Sequence, residues 1–393
     1  MSDKPARLSA KVRASSKNNF SIEVRREVVF MNIKEVAQKF KLRAITIYVA
    51  TGKGSCPFAC SYCFLAKNGK LRQMSIGTLH KSIDFLRRVS LKPEAIYFFG
   101  TEPLMRFDLI KEARKYAPEL KISLTTNGWL LTDKRIEWMA RNNVKIFIYS
   151  IDGGAKYHNK HRRTIDNKPT WARVAKNFQR LLPTQGKWIT TRGTWSPEGN
   201  DYDLVGRFKA LTALGASSIA IVPVMGDPSW DEKRTAQAYM ELADYYKGET
   251  PPSKFIIQAL YRLAMKNLPP LGNMCNVGHH AWSVLPDGTL LICHNGVEIP
   301  DWRLGNINSK KVNKKAIATA ERVDKFYEFR DKRPECVNCP ARNLCMGVGY
   351  CAAENLRYGG NVINPPKSYC IHLRGFATGM KYWLKLRKKR KRK

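Results

Sequence analysis

The chain is short of acidic residues and of long apolar segments. Its 393 residues include 32 Asp and Glu against 69 Lys and Arg, so the net charge is +37. The longest apolar runs, such as AITIYVA and SIAIVPVMG, have the length of a strand, whereas a membrane-spanning helix needs about 20 apolar residues. The N-terminal MSDKPARLSAKV contains no apolar signal segment. We therefore expect a cytoplasmic protein with no membrane partner.

Cysteine is missing from a long central part of the chain. None of the ten cysteines falls between residues 64 and 274, whereas three lie at 56, 60 and 63 and seven lie between 275 and 370. Because thiols stay reduced in the cytoplasm, clustered cysteines there predict metal ligands or catalytic groups.

The part without cysteine alternates between strand and helix patterns. The strand candidates are apolar on both faces, as in a parallel sheet that is covered by helices. They occupy 44–50, 95–100, 121–127, 144–152, 188–193 and 218–224. Helical patterns lie between them, for example at 76–89, 133–142 and 171–182. The fold class is therefore α/β, a partial (βα)6 TIM-like barrel whose functional groups lie at the carboxyl ends of the strands.

The composition divides the chain into five segments. After Gly248 the barrel pattern ends, and from Cys275 the sequence is loop-rich, so metal ligation has to supply the stability that a small core lacks. The segments are a basic N-terminal arm at 1–43, the barrel at 44–248, a linker helix at 249–272, a small loop-rich domain held by cysteines at 273–374, and a polybasic tail at 375–393.

The trio Cys56, Cys60 and Cys63 directly follows the first barrel strand. Each iron of a [4Fe–4S] cluster seeks a thiolate, so three thiolates leave one iron open for a substrate or cofactor. The alternatives are a zinc ion with a distant fourth ligand, or cysteines that are merely buried.

The segment CPFACSYC resembles the CxxxCxΦC motif of the radical SAM superfamily, with Tyr62 as the aromatic residue. The resemblance implies a [4Fe–4S] cluster whose open iron binds S-adenosylmethionine (SAM). It also implies reductive cleavage of SAM to methionine and a 5′-deoxyadenosyl radical, which abstracts a hydrogen from the substrate.

Further segments resemble the family's SAM-binding motifs at successive strand ends. FFGTEP resembles the GGEP motif that meets the SAM amino group, with Thr101 in place of the second glycine, and TTNG and SIDG resemble segments near the ribose and carboxylate. Within HNKHRR, Arg162 or Arg163 suits the SAM carboxylate because a guanidinium fork fits it. The candidate contacts are Tyr62, Gly100, Thr101, Glu102, Thr126, Asn127, Ser150, Asp152, Arg162 and Arg163.

The later cysteines resemble a SPASM domain, which carries auxiliary clusters in one branch of this superfamily. Two departures are visible: CMGVGYC widens the spacing between two cysteines, and Ala281 stands near the place where some members have an extra cysteine. The resemblance assigns Cys275, Cys293 and Cys351 to an inner cluster, and Cys336, Cys339, Cys345 and Cys370 to an outer one. Together with the first trio this implies three [4Fe–4S] clusters. A stack of zinc ribbons is the alternative.

Three histidines have possible roles beside the inner cluster. His279, His280 or His294 would complete its ligation, or the cluster keeps an open iron. His294 directly follows Cys293 and is also a candidate general base for an oxidised substrate radical. The alternative is a surface histidine next to a hairpin.

The substrate remains open between two classes. By resemblance, enzymes with this layout modify peptides or proteins. The charge instead favours a nucleic acid, since Tyr382 and Trp383 lie among basic residues in a combination that suits base stacking and phosphate contact. A solvated basic surface with a disordered tail explains the charge equally well. A third class is an iron–sulfur protein that only carries electrons or binds nucleic acid. A radical SAM enzyme also needs an external one-electron reductant.

Overall fold

The structure is a computed structural model that describes residues 31–65, 69–265, 275–345 and 351–391. Most of the expected N-terminal arm and the end of the expected linker helix lie outside the described residues. Within the described part, no helix is long and apolar enough to cross a membrane.

Eleven strands and fourteen α-helices make up the described part of the chain. The strands are β1 (Ala44–Tyr48), β2 (Ala50–Thr51), β3 (Arg72–Gln73), β4 (Ala95–Phe99), β5 (Lys121–Thr126), β6 (Val144–Ser150), β7 (Thr190–Trp195), β8 (Ile219–Pro223), β9 (Ala281–Val284), β10 (Thr289–Leu291) and β11 (Arg303–Asn306). The helices are α1 (Ile33–Lys39), α2 (Ile76–Val89), α3 (Phe107–Tyr116), α4 (Asp133–Arg141), α5 (Ala155–His161), α6 (Trp171–Gln185), α7 (Leu204–Ala213), α8 (Glu232–Tyr245), α9 (Lys254–Ala264), α10 (Lys314–Asp324), α11 (Phe326–Asp331), α12 (Pro334–Val337), α13 (Ala352–Gly359) and α14 (Lys367–Lys391).

Nine of these strands form one sheet in the order β11-β10-β9-β1-β4-β5-β6-β7-β8. The six strands from β1 through β8 in this order pair in parallel, and helices connect them along the chain. The predicted partial (βα)6 barrel is thus confirmed. β9 extends it by pairing in parallel with β1, so the first strand of the cysteine-rich region belongs to the barrel sheet.

Burial explains why these segments adopt their structures. All five residues of β1 are buried, as the continuous apolar run predicts for a strand between two layers. α2 begins at a side-chain cap, where Ser75 accepts the amide of Thr78, and buries the face that carries Leu79, Ile83 and Leu86. The carboxyl ends of the parallel strands therefore meet at one edge of the barrel, where their loops form the site.

The C-terminal residues form a helix, so the expectation of a separate tail that begins at 375 is wrong. Phe376, Met380 and Trp383 are buried at helical spacing on one face of α14. Gly375 and Gly379 face α8 so closely that a Cβ at either position would collide with that helix. The two helices therefore pack in close contact, and the lysines lie on the opposite side of α14.

Candidate active site

The first three cysteines lie in the loop that follows β1 and β2, at the carboxyl edge of the sheet. A second chain segment holds this loop by its backbone. The amide of Ala59 donates to the carbonyl of Arg163 at 2.8 Å, and the amide of Ser61 donates to the carbonyl of His161 at 3.1 Å. The Cα positions of the trio are thereby fixed by main-chain hydrogen bonds.

The trio suits a cluster with several irons. The charges of Cys60 and Cys63 both act on Cys56, so the three thiols lie close together. Burial, followed by the charge of Glu102, raises the pKa of Cys56 to about 12, so iron has to displace a proton when it binds. Within the described ranges, no three His, Cys, Asp or Glu side chains converge as the ligands of a single metal ion do. A [4Fe–4S] cluster, whose irons each take one thiolate, remains the prediction for this trio, with a zinc ion as the alternative.

A second group of cysteines comes together where β9, β10 and α13 meet. The charge of Cys351 acts on both Cys275 and Cys293. Asn295 joins two of them, since its amide donates to Sγ of Cys293 at 3.4 Å and its Nδ2 donates to Sγ of Cys351 at 3.3 Å. These three residues are the set that the resemblance assigns to the inner cluster, and their ligation of iron remains a prediction.

The remaining four cysteines form a third group. The charges of Cys336, Cys339 and Cys370 act on Cys345, and those of Cys336 and Cys339 act on Cys370. All ten cysteines are free and partly buried, and none forms a disulfide. The structure therefore groups the thiols as three, three and four, the division that three clusters need.

Tyr62, Asp152 and Arg162 are far apart in sequence and in contact in the structure. The hydroxyl of Tyr62 donates to Oδ2 of Asp152, and Nε of Arg162 donates to its Oδ1 at 3.0 Å. Burial alone would raise the pKa of Asp152, but the charges of Arg162 and His158 and the hydrogen bonds from Tyr62 and the Thr194 amide together lower the pKa below its usual value. The carboxylate of Asp152 is fully used in these contacts, whereas the two terminal nitrogens of Arg162 have no hydrogen bond in the described structure and can receive a ligand.

Glu102 is a structural anchor between two strand ends. Its fully buried carboxylate accepts hydrogen bonds from the amide of Leu104, the hydroxyl of Thr126 and the amide of Asn127, at 2.8 to 3.0 Å. Asn127 in turn places its Nδ2 3.6 Å from Sγ of Cys56. Glu102 thus sets the position of the TTNG loop next to the trio. A contact of Glu102 with the SAM amino group remains a prediction.

The other candidate SAM contacts lie at the same edge with different surroundings. Gly100 has a φ of +110°, and a Cβ there would collide with the ring of Tyr48, which explains the glycine of this motif. Thr101 donates its hydroxyl to the carbonyl of Ala50 at 3.2 Å, so it braces the loop after β1. Ser150 is partly buried at the end of β6, as the SIDG resemblance implies.

Arg163 is the weaker of the two arginine candidates. Its Nε donates to the carbonyl of Asn167 at 3.0 Å and its Nη1 donates to the carbonyl of Asn159 at 3.2 Å. These bonds hold the side chain within its own loop, away from the strand end where Arg162 meets Asp152. We therefore retain Arg162 as the candidate partner of the SAM carboxylate.

Two of the three histidines have one ring nitrogen engaged, which leaves the other nitrogen for a cluster, so their role as cluster ligands remains a prediction. Nε2 of His279 pairs with Asp324 at 2.8 Å, and Nδ1 of His280 lies 3.3 Å from the carbonyl of Lys41. Burial, followed by the charge of Arg192, lowers the pKa of His294 to about 4. The catalytic role of His294 remains a prediction.

Two residues of the site were not singled out in the sequence. Tyr48 is fully buried and feels the charges of both Cys63 and Cys293, so it lies between the first and second cysteine groups. Arg192, on β7, feels the charges of Cys351 and Arg162. The signal for Arg192 was available, because it is the one charged residue within an otherwise uncharged strand.

Comparison with known proteins identifies both parts of the chain. The radical SAM superfamily matches residues 53–191, and the iron-sulfur cluster-binding domain SPASM matches residues 275–340. The barrel of this chain therefore contains a radical SAM domain, and a SPASM domain follows the barrel. Both family assignments made from the sequence are confirmed.

Relatives and solved structures extend this likeness. The serine-type anaerobic sulfatase-maturating enzyme of Bacteroides thetaiotaomicron is 31% identical over 147 residues, which are 34% of this chain and 35% of that enzyme, so the match spans about a third of its length. The radical SAM cyclopropyl synthase TigE of Paramaledivibacter caminithermalis is 23% identical over 89% of this chain and 76% of its own. The structure of anSMEcpe with bound AdoMet and a peptide has a TM-score of 0.65 at 19% identity and covers 88% of this chain and 99% of that chain, which shows a shared fold.

Proposed function

We propose that the protein cleaves SAM reductively and uses the 5′-deoxyadenosyl radical to abstract a hydrogen from a peptide or protein. The observation that carries this proposal is the cysteine trio, which the backbone clamps at the strand edge beside the candidate SAM contacts. The names of relatives support the substrate class, since one matures sulfatases and one related fold was solved with a peptide.

The chain's own residues would hold and orient SAM. Cys56, Cys60 and Cys63 would hold a [4Fe–4S] cluster, which in its reduced form would supply the electron for cleavage of the sulfonium C–S bond. The terminal nitrogens of Arg162 offer a fork for the SAM carboxylate, and the pairing of Asp152 with Arg162 fixes the direction of that fork. Glu102 fixes the TTNG loop, so Asn127 stays beside Cys56 when the ligand enters.

Two auxiliary clusters complete the proposal. Clusters held by the inner and outer cysteine groups would accept an electron from a substrate radical or bind a substrate group, and an external one-electron reductant would reduce the first cluster. A cytoplasmic location remains the prediction from the sequence.

A nucleic-acid substrate has less support than a peptide. Trp383 is buried and its indole Nε1 donates to the carbonyl of Glu249 at 3.1 Å, while the hydroxyl of Tyr382 donates to Asp244 at 2.8 Å. The indole is therefore unavailable for stacking on a base, and only the positive charge continues to favour a polyanion. The cofactor-facing residues likewise argue against a protein that only carries electrons.

Anaerobic reconstitution tests the proposal. We expect the protein with iron, sulfide, dithionite and SAM to release 5′-deoxyadenosine, which chromatography measures. Arg162→Lys keeps the charge beside Asp152 and removes the fork, so SAM should bind about tenfold more weakly, whereas Arg163→Lys should bind SAM like wild type. Release of no 5′-deoxyadenosine by a fully reconstituted protein would refute the proposed activity.

A further inference from the structure

The barrel interior contains a guanidinium group without a partner. On β6, the hydroxyl of Tyr149 donates to the carbonyl of Val174 in α6, so Tyr149 points to the outer helices. Tyr149 pairs with Thr191, and the next pair is Ser150 with Arg192. Since neighbouring residues of a strand point to opposite faces, Ser150 and Arg192 both point into the barrel.

Arg192 lies between the candidate SAM site and the inner cysteine group. Its side chain is exposed and makes no hydrogen bond or ion pair within the described ranges. The negative charges of Cys351 and Glu354 attract it, and the positive charge of Arg162 repels it. Arg192 therefore faces the space that separates the two sets of thiols, where a substrate has to lie.

The neighbouring charges are already paired with one another. Arg162 pairs with Asp152 at 3.0 Å, and Nη1 of Arg357 donates to Oε1 of Glu354 at 2.5 Å. Arg192 is the charged residue of this group that belongs to neither ion pair. An arginine fork without a partner, inside a barrel, suits a carboxylate that arrives with a ligand.

We propose that Arg192 binds a carboxylate of the peptide substrate, either on an acidic side chain or at the C-terminus, and thereby places the neighbouring residue for hydrogen abstraction. This inference rests on the proposed function, because it assumes a peptide substrate. It assigns to Arg192 a role in substrate selection that is separate from the SAM contact of Arg162.

Affinity selection from synthetic peptides tests the role of Arg192. Two pools of random dodecapeptides, one amidated and one with a free C-terminus, are offered anaerobically to the reconstituted protein with SAM, and mass spectrometry identifies the retained peptides. The variants are Arg192→Met, Arg192→Lys and the control Arg141→Met, which removes one charge from a surface side chain that is 80% exposed. The control cancels the general attraction of a basic protein for acidic peptides.

We expect wild type and Arg141→Met to retain acidic or free-acid peptides about tenfold more than Arg192→Met does, with Arg192→Lys between them. A preference for Asp and Glu in both pools identifies a side-chain carboxylate, and a preference confined to the free-acid pool identifies the C-terminus. Equal retention by wild type and Arg192→Met overturns the proposal.

Two further measurements separate other roles of Arg192. If Arg192→Met weakens SAM binding or shifts the reduction potential of an auxiliary cluster, while the retained peptides stay the same, the guanidinium serves the cofactor and the proposal is overturned. Release of 5′-deoxyadenosine by wild type is measured in parallel. Its failure refutes the proposed function, whereas its success without carboxylate selection refutes only the role of Arg192.

Discussion

The barrel and the cysteine-rich region hold their thiols by different means. The first trio lies on a loop that main-chain bonds clamp, above a sheet whose strands are buried on both faces. In the outer group, Cys336 lies on the short helix α12, which contributes no buried residue, and Cys370 lies on α14. We therefore expect iron to contribute more to the order around Cys336 and Cys339 than to that of the barrel strands.

The inner cysteine group is intermediate between the first trio and the outer group in the way its thiols are held. Cys275 and Cys293 flank β9 and β10, which are strands of the barrel sheet, while Cys351 directly precedes the helix α13. The second set of thiols therefore joins the barrel sheet to the helices that follow it. Four experiments test this contrast.

The largest expected effect is on catalysis. Cys60→Ala should reduce 5′-deoxyadenosine release to background, because the trio loses a ligand of the cluster that splits SAM, and iron content should fall by about one cluster. Cys336→Ala serves as the matched control and should keep cleavage of SAM while it also loses iron. Continued SAM cleavage by Cys60→Ala would show that the site assignment is wrong.

Removal of iron should speed hydrogen exchange in the outer cysteine group and leave exchange in the barrel strands nearly unchanged. In the iron-free protein, we expect backbone amides of residues 326–345 to exchange hydrogen at least about tenfold faster than in the loaded protein, since metal ligation supplies their order. Amides of β4 and β5 should change little. Mass spectrometry of peptic fragments measures both. An equal increase of the exchange rate in the barrel strands and in residues 326–345 would contradict the expected difference between the two regions.

The C-terminal helix should stabilise the barrel through its apolar face. Trp383→Ala should lower the free energy of unfolding by about 3–5 kcal/mol, because it leaves a cavity against α8 and α9. Lys385→Ala, on the exposed face of the same helix, should change it by less than about 0.5 kcal/mol. Chemical denaturation of the loaded protein measures both. A small effect of Trp383→Ala would mean that the helix is dispensable for stability.

The smallest effect concerns pH. Burial raises the pKa of Glu102 from 4.5 to about 7, so the protonated carboxyl favours the folded state. This stability is fully present below about pH 4.5 and is lost as the pH rises through about 7, with a size on the order of 3 kcal/mol. Between pH 5 and 8, wild type should lose more stability than Glu102→Gln, while the exposed Glu137→Gln should follow wild type. Parallel curves for wild type and Glu102→Gln would show that Glu102 does not titrate in this range.

The elements of the barrel were predictable, and several of its contacts were not. The helix at Ile76–Val89 has the predicted bounds because its periodicity, its Ser75 cap and its apolar face all agree. The apolar face of α14 is hard to recognise because lysines surround Trp383 in sequence, so only the packing against α8 reveals it. The contact between Tyr62 and Asp152 joins positions 90 residues apart, which local pattern cannot specify. Arg192 interacts electrostatically with Cys351, which is distant in sequence, so local sequence pattern could not assign a role to Arg192.

The parallel pairing of β9 with β1 has a consequence for electron transfer. Four residue pairs, from Ala44 with Ala281 to Ile47 with Val284, join the strand before the first cysteines to β9, whose antiparallel partner β10 leads to Cys293. The spacing of these strands is set by a sheet ladder and not by a hinge, so clusters held at the two groups would exchange electrons over a fixed distance. Substrate binding would then control the timing of electron flow through occupancy of the gap, with the spacing itself held constant.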